Sequence, residues 1–371
     1  MHYDEHKKYK EIICFMIFVS SFISFNALGF NPIYIFITLF ISIQLCLIIM
    51  RGALSNFSLI TLMFSLLFCI SQLIALRYTN TALLVDENIN YLSFIIFILS
   101  IVYAVPFYEF FRRGSISFRH AIYKWGGILL CFYLTLELIS RLLIGNASLG
   151  LLYGFKKSLF YFDSNFTGLI ILSFLIFFMF IRNVGAKGFG WLMVYLSIML
   201  VFTMSRAAMV ASIVSFAIFH SHKKYKWKAY IALISYISLF LLLSYVYLFE
   251  NVSFIGVDGS FNSKFHLVQK AIFLYENLPS TSIIFGIGLG NFEKYTGSFA
   301  HNIFLTMIVE MGFIGSLLFI SFIIYSIVRS NGSALYIWLP TLVCGVSLFG
   351  VYSPYLFMIN AAILLESEKN K

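Results

Sequence analysis

Arg206, Lys264 and His301 are the residues of this chain whose types and places could do chemistry. Arg206 lies in FTMSRAAMV, where two apolar runs meet with almost no loop between them. An ionisable group held at membrane depth is costly unless it has a partner or a task, and a guanidinium offers a bidentate fork for phosphate. Ser205 stands beside it and no basic cluster surrounds it; snorkelling to lipid headgroups is the plainer alternative. His301 closes the longest polar stretch, with Asn302 starting the next apolar run. An imidazole titrates near neutrality and can take a proton from a hydroxyl, although a surface histidine at a helix start would look the same. Lys264 could add a second cation for a phosphate. Taken alone, it is a loop lysine.

Other groups are weaker. Glu137 and Arg141 stand four residues apart and read first as an intrahelical pair. Glu310, about two turns into an apolar run, faces an interior if charged, with hydrogen bonding and a site role both open. The 5 cysteines fall singly inside apolar runs and imply neither disulfide nor thiolate metal site. Of the 7 histidines, only His266 and His301 sit with the long polar stretch, too few for zinc without nearby acids. FGIGLGNF resembles a dinucleotide-binding glycine pattern, but no strand precedes it and no βαβ unit surrounds it. A tight turn before the next run is the better reading, with amides that could face an anion.

The elements that must position these groups follow from composition. Of 371 residues, 61% are hydrophobic and only 11% charged. A soluble protein carries about 25% charge, so this chain reads as an integral membrane protein. Its apolar runs are continuous, which excludes a β-barrel. The net charge of +10 fits basic loops on one side of a membrane, and nucleic-acid binding is excluded. About twelve stretches are long enough, or nearly so, for the ~20 residues a spanning helix needs. They run 12–29, 32–50, 56–76, 90–108, 122–143, 165–181, 188–204, 206–220, 229–249, 302–328, 334–350 and 352–365, the last short enough to be tilted or re-entrant. No cleavable signal peptide is expected. With both termini cytoplasmic, Lys and Arg concentrate on the cytoplasmic side through every crossing; Arg77, Arg141, Lys156, Lys157, Arg206, Lys264, Lys270 and Lys294 are left outside. HSHKKYKWK, at 220–228, is then an orientation signal. The expected fold is all-α, a single membrane domain: helices one to nine over 1–249, one large external loop over 250–301, and helices ten to twelve with a tail over 302–371. A loop that long is usually functional. Phe265, Val268, Ile272 and Tyr275 suit an amphipathic helix within it. No internal repeat supports a transporter plan.

Four pieces in order resemble the O-antigen polymerase and O-antigen ligase superfamily of bacterial polysaccharide assembly: FDSN at 162–165, TMSRAA at 203–208, GIGLGNF at 286–292 and AHNIFLTMIVEMGFIG at 300–315. The motifs cover about 150 to 330, and the twelve-span plan with its loop before span ten, a glycosyltransferase-C-like arrangement, extends the likeness. The resemblance implies a metal- and cofactor-independent glycosyltransferase in the bacterial inner membrane, with its active site periplasmic. Its donor would be an undecaprenyl-pyrophosphate-linked oligosaccharide, and its neighbours membrane lipids, a repeat-unit flippase and a chain-length regulator. An Arg at the position of Arg206 and another in the loop would hold pyrophosphate, and a His at the position of His301 would be the base. Here the loop has Lys264 where an Arg is usual, which keeps the charge but loses the fork. Ser205, Asn302, Asp163, Asn165, Gly288 and Asn291 complete the implied binding set. Inverting transfer fits these residues, because a retaining reaction would call for a carboxylate nucleophile and Asp163 is the only external carboxylate in a matching motif. The compact loop and the composition rich in Phe, Ile, Asn and Tyr favour a polymerase over a ligase acting on lipid A core. A lipid-linked sugar transporter or flippase is the competing class.

Overall fold

Within a bilayer every backbone N–H and C=O must be satisfied inside its own segment, and the continuous apolar runs accordingly fold as helices. In the computed structural model no strand occurs among the described residues, which are 2–25, 31–51, 54–78, 83–85, 88–146, 154–161, 163–220, 225–249, 259–348 and 352–368. Among the described residues, six helical stretches are long and apolar enough to cross a membrane: Asn56–Arg77, Leu92–Phe111, Ile116–Ile144, Ser164–Asn183, Tyr225–Phe249 and Ile303–Arg329. The elements, in order, are α1 (His2–Ser20), α2 (Ile33–Arg51), α3 (Asn56–Arg77), α4 (Leu92–Val102), α5 (Ala104–Phe111), α6 (Ile116–Ile144), α7 (Ser164–Asn183), α8 (Gly190–Phe202), α9 (Arg206–Phe219) and α10 (Tyr225–Phe249). The polar stretch holds α11 (Gly259–Asn277), α12 (Ser280–Phe285) and α13 (Phe292–Thr296). It is followed by α14 (Ile303–Leu305), a π-helical turn (Thr306–Met311), α15 (Gly312–Arg329), α16 (Leu335–Gly345) and α17 (Pro354–Glu368).

Helix α7 is the axis. It is buried almost throughout and packs against α8, α9, α16 and α17. The short last run is not a surface element: nearly every residue of α17 from Pro354 to Glu366 is buried. By contrast α10 buries only Ala229 and Ser244 among its described side chains, as a peripheral helix facing lipid would. The run at 90–108 is interrupted at Tyr103, between α4 and α5. Pro106 opens α5, and its ring cannot sit beside the carbonyl four residues back.

The two ends of the bundle differ in charge. At the end holding the start of α6 and the end of α17, Arg119 grips Glu366 through Nε–Oε1 at 2.5 Å and Nη2–Oε2 at 3.0 Å. Arg112 pairs with Glu109 at 2.7 Å and Arg329 with Glu368 at 2.8 Å. At this end every one of these carboxylates has its arginine. The site lies at the other end.

There the glycine run is a clasp. The Ile287 and Gly288 amides donate to the carbonyls of Val309 and Glu310, both at 3.1 Å, Leu289 N–H donates to Gln72 Oε1 at 2.8 Å, and Phe292 N–H donates to Glu310 Oε1 at 2.9 Å. The clasp holds the π-helical turn that breaks the run at 302–328. Gly286 has φ +89° and ψ 179°, and a Cβ on it would lie 2.1 Å from the Glu310 carbonyl oxygen. Gly286→Ala should therefore cost about 1–3 kcal/mol from backbone conformation alone, with the clash in addition. Thermal unfolding of the detergent-purified variant checks this, and an unchanged midpoint would show that the clasp is dispensable.

The helix expected in the loop is α11, and besides Phe265, Val268, Ile272 and Tyr275 it carries a second apolar face. Leu267, Ala271, Leu274 and Leu278 are buried with Ile287, Phe292, Leu305 and Val309, so the clasp and α14 claim that side of α11. Ile272 and Tyr275 are 44% and 37% exposed. Phe265 is buried as expected, but against Phe240 and Tyr247 of α10.

Candidate active site at the junction of α7, α9 and the loop

Arg206 is the first residue of α9 and is exposed. The turn before it is tight: Ser205 N–H donates to Thr203 Oγ1 at 3.2 Å, and Met204 has φ +53°. His301, just before α14, has φ +42°. Left-handed backbone is uncommon for residues other than glycine, costs of order 1–3 kcal/mol, and gathers at functional sites. Two of the three such residues among those described fix the backbone at Arg206 and His301; the third is Asn331.

Lys264, on α11, reaches across to α16 and donates from Nζ to the Ser347 carbonyl oxygen at 3.1 Å. The C-terminal end of a helix carries partial negative charge, so this contact anchors the loop. Burial, then the neighbouring charges of Lys156 and Arg206, pull the Lys264 ammonium below the ordinary lysine value, with Asp163 opposing them. Burial and then Lys264 likewise hold His301 below the ordinary histidine value, again against Asp163. Lys264 thus lies within electrostatic reach of Lys156, Arg206, His301 and Asp163, and these five groups form a charged cluster. Asp163 is the N-cap of α7, with Oδ1 accepting from Asn165 N–H at 2.7 Å and Phe166 N–H at 3.2 Å. An oxygen engaged by two backbone amides serves the helix end, which suits a structural role better than that of a nucleophile.

The rest of the expected set is distributed differently. Asn165 is half-buried on the first turn of α7. Ser205 is fully buried and packs on Gly168 of α7, where an added Cβ would approach its own Cβ to 2.7 Å; it locks α9 to α7. Asn302 spends Oδ1 on the amides of Phe304 and Leu305, at 2.8 and 3.3 Å. Gly288 and Asn291 are not brought to the cluster. The Gly288 amide is bonded to Glu310, and the buried Asn291 accepts from Asn90 N–H at 2.7 Å. Glu310 belongs to the same clasp. The amides of the glycine run that were open to an anion are thus engaged internally. Phe162 lies outside the described residues. Lys156 is the member that sequence reading passed over; its only signal is the Lys156–Lys157 pair just upstream of the Asp-Ser-Asn motif.

Glu137 and Arg141 do form the expected pair, Nε–Oε1 at 3.0 Å, with both side chains buried. They also join three helices. Thr167 Oγ1 of α7 donates to Glu137 Oε1 at 2.9 Å, and Arg141 Nη1 donates to the Phe202 carbonyl oxygen, at the end of α8, at 3.1 Å. Phe202 is four residues before Arg206, so the pair sets the turn that presents it. Breaking a buried pair from one side costs about 3–5 kcal/mol, while replacing both partners by apolar groups is often near neutral. Arg141→Ala should thus lower the unfolding midpoint sharply, and Glu137→Leu/Arg141→Leu should recover much of it without recovering full activity. Equal loss of stability in the single and double variants would remove this pair from the account.

Among the described residues no group of three or more His, Cys, Asp or Glu side chains is placed to hold a metal ion.

Residues 191–320 match the family model described as O-antigen ligase. That stretch, about a third of the chain, runs from the start of α8 to the middle of α15 and contains Arg206, Lys264 and His301. The match bears out the resemblance to the O-antigen polymerase and ligase superfamily. Members of this family are glycosyltransferase-like enzymes of polysaccharide assembly. No curated protein and no solved structure matches the chain significantly.

Proposed function

We propose that this chain polymerises undecaprenyl-pyrophosphate-linked oligosaccharide repeat units at the periplasmic face of the bacterial inner membrane, with about twelve crossings and both termini cytoplasmic. The observation that carries the reading is the gathering of Arg206, Lys264, Lys156 and His301 at one end of the bundle, with three of the four inside the stretch that matches the family. Displacing a pyrophosphate from an anomeric carbon needs cations where negative charge develops and a base for the incoming hydroxyl. Arg206 would grip the pyrophosphate by its fork. Lys264, with three N–H donors, can hold Ser347 and a phosphate oxygen together. As the acceptor oxygen bonds to the anomeric carbon, the bond to pyrophosphate breaks and its electron pair leaves with the phosphate; His301 takes the hydroxyl proton. One displacement inverts the centre. With side-chain cations in this role, no metal is required, and EDTA should leave purified activity unchanged.

A second reading, ligation of glycan to lipid A core, is favoured by the description of the matching family itself. It uses the same donor and differs in the acceptor. Deletion with lipopolysaccharide gel analysis separates the two. Core bearing one repeat is expected for loss of the polymerase; core bearing none would assign the ligase. Under the favoured reading the gene is expected beside those of a repeat-unit flippase and glycosyltransferases, and under the second within a lipid A core cluster.

A further inference from the structure

Beside the charged cluster, at the same end of the bundle, lies a cavity of about 380 Å³ where α1, α2, α4, α7 and α17 bring their ends together. The volume falls in the range of small-molecule sites. It adjoins Asp163: Tyr161 and Phe166, which line it, flank Asp163 in sequence, and Phe166 is one helical turn from the cap, ~4.5 Å along the axis. Phe166 faces the cavity while the next two residues of α7, Thr167 and Gly168, are taken up by Glu137 and Ser205. The cavity and Arg206 thus occupy different sides of the first turns of one helix.

The lining has a recognisable chemistry. Aromatic rings come from separate elements, Phe22 from just beyond α1, Tyr34 from α2, Phe166 from α7 and Tyr355 from α17, together with five isoleucine and leucine side chains; Ser353 and a bonded pair, Asn31 Nδ2 donating to Ser24 Oγ at 3.1 Å, stand among them. A pyranose ring presents an apolar C–H face and an edge of hydroxyls, which this mixture of flat rings and hydrogen-bonding groups matches. A prenyl chain would be served by aliphatic walls alone and needs no such polar groups. The location at helix ends, where hydrocarbon gives way to headgroups, also suits a sugar. We propose that this cavity is a sugar subsite, holding one ring of the lipid-linked glycan across the first turn of α7 from the Arg206 side of the cluster. This rests on the function proposed above and adds to it where the glycan is read.

The test uses full-length protein in lipid nanodiscs and two probes: undecaprenyl pyrophosphate, and the undecaprenyl-pyrophosphate-linked repeat unit extracted from cells lacking this gene. Wild type is expected to bind the sugar-bearing lipid about tenfold tighter than the sugar-free one, the size of a single well-made contact set. Tyr34→Ala should erase that advantage and leave the affinity for undecaprenyl pyrophosphate unchanged. Phe166→Leu, which keeps an apolar side chain on α7, should do the same in part and guards against a folding defect in the first variant. Equal weakening of both probes would overturn the proposal in favour of a prenyl-chain cavity, and unchanged binding of both in both variants would overturn it outright. Wild type binding neither probe would instead strike the proposed function, and this inference with it.

Discussion

Arg206→Ala should abolish polymer formation while leaving the protein folded in the membrane. Arg206 is exposed at the start of α9, and substitutions at exposed positions usually change stability by no more than ~0.5 kcal/mol. The loss therefore falls on chemistry. Its guanidinium would meet a leaving pyrophosphate whose charge grows as the anomeric bond breaks, and removing one donor aimed at developing charge costs about 10²–10³ in turnover. Arg206→Lys should retain part of the activity, because the charge stays and the fork is lost. Normal-length polymer from Arg206→Ala would show that the phosphate is held elsewhere.

Replacing His301 should cost more. General-base catalysis contributes about 10²- to 10⁴-fold, and that is the loss expected for His301→Asn, with donor binding little changed. Asparagine is the informative substitution because it tolerates the left-handed backbone found here and cannot act as a base. The pH profile carries a sign. The base must be neutral, and burial together with Lys264 holds His301 below the ordinary histidine value. Activity should accordingly persist below that value and fall only as pH drops through the lowered pKa. Lys264→Ala removes one lowering influence, so its acid limb should move to higher pH, apart from any loss of turnover. An acid limb that stays in place in this variant would separate Lys264 from the base.

How far the sequence could be read depended on what each element answers to. The runs at 56–76, 122–143, 165–181 and 229–249 are met by α3, α6, α7 and α10, because an uninterrupted apolar run has one way to satisfy its backbone in lipid. Interruptions within runs were not visible. The turn at 306–311 depends on amides from the Gly286–Phe292 clasp, about 20 residues earlier in the chain, and the face of α11 depends on that clasp as well. At the site, Arg206 could be named because charge at membrane depth is conspicuous, His301 because it closes the long polar stretch, and Lys264 through the family resemblance. Lys156 could not, since a loop lysine looks like any other until Asp163 and Lys264 are placed beside it. Glu137 and Arg141 were legible as a pair by spacing. Their hold on Thr167 and Phe202 is tertiary and leaves no local trace. Gly288 and Asn291 were assigned to binding because a glycine turn can serve an anion as well as a carbonyl; here the carbonyls of Val309 and Glu310 occupy it.

The most direct test of the central claim is turnover by the purified protein given lipid-linked repeat units and no nucleotide, with EDTA present. The expected result is glycan lengthened by whole repeats together with released undecaprenyl pyrophosphate, lost in Arg206→Ala and His301→Asn. Intact lipid-linked repeats after incubation with folded wild-type protein, or lengthening that persists in both variants, would contradict it.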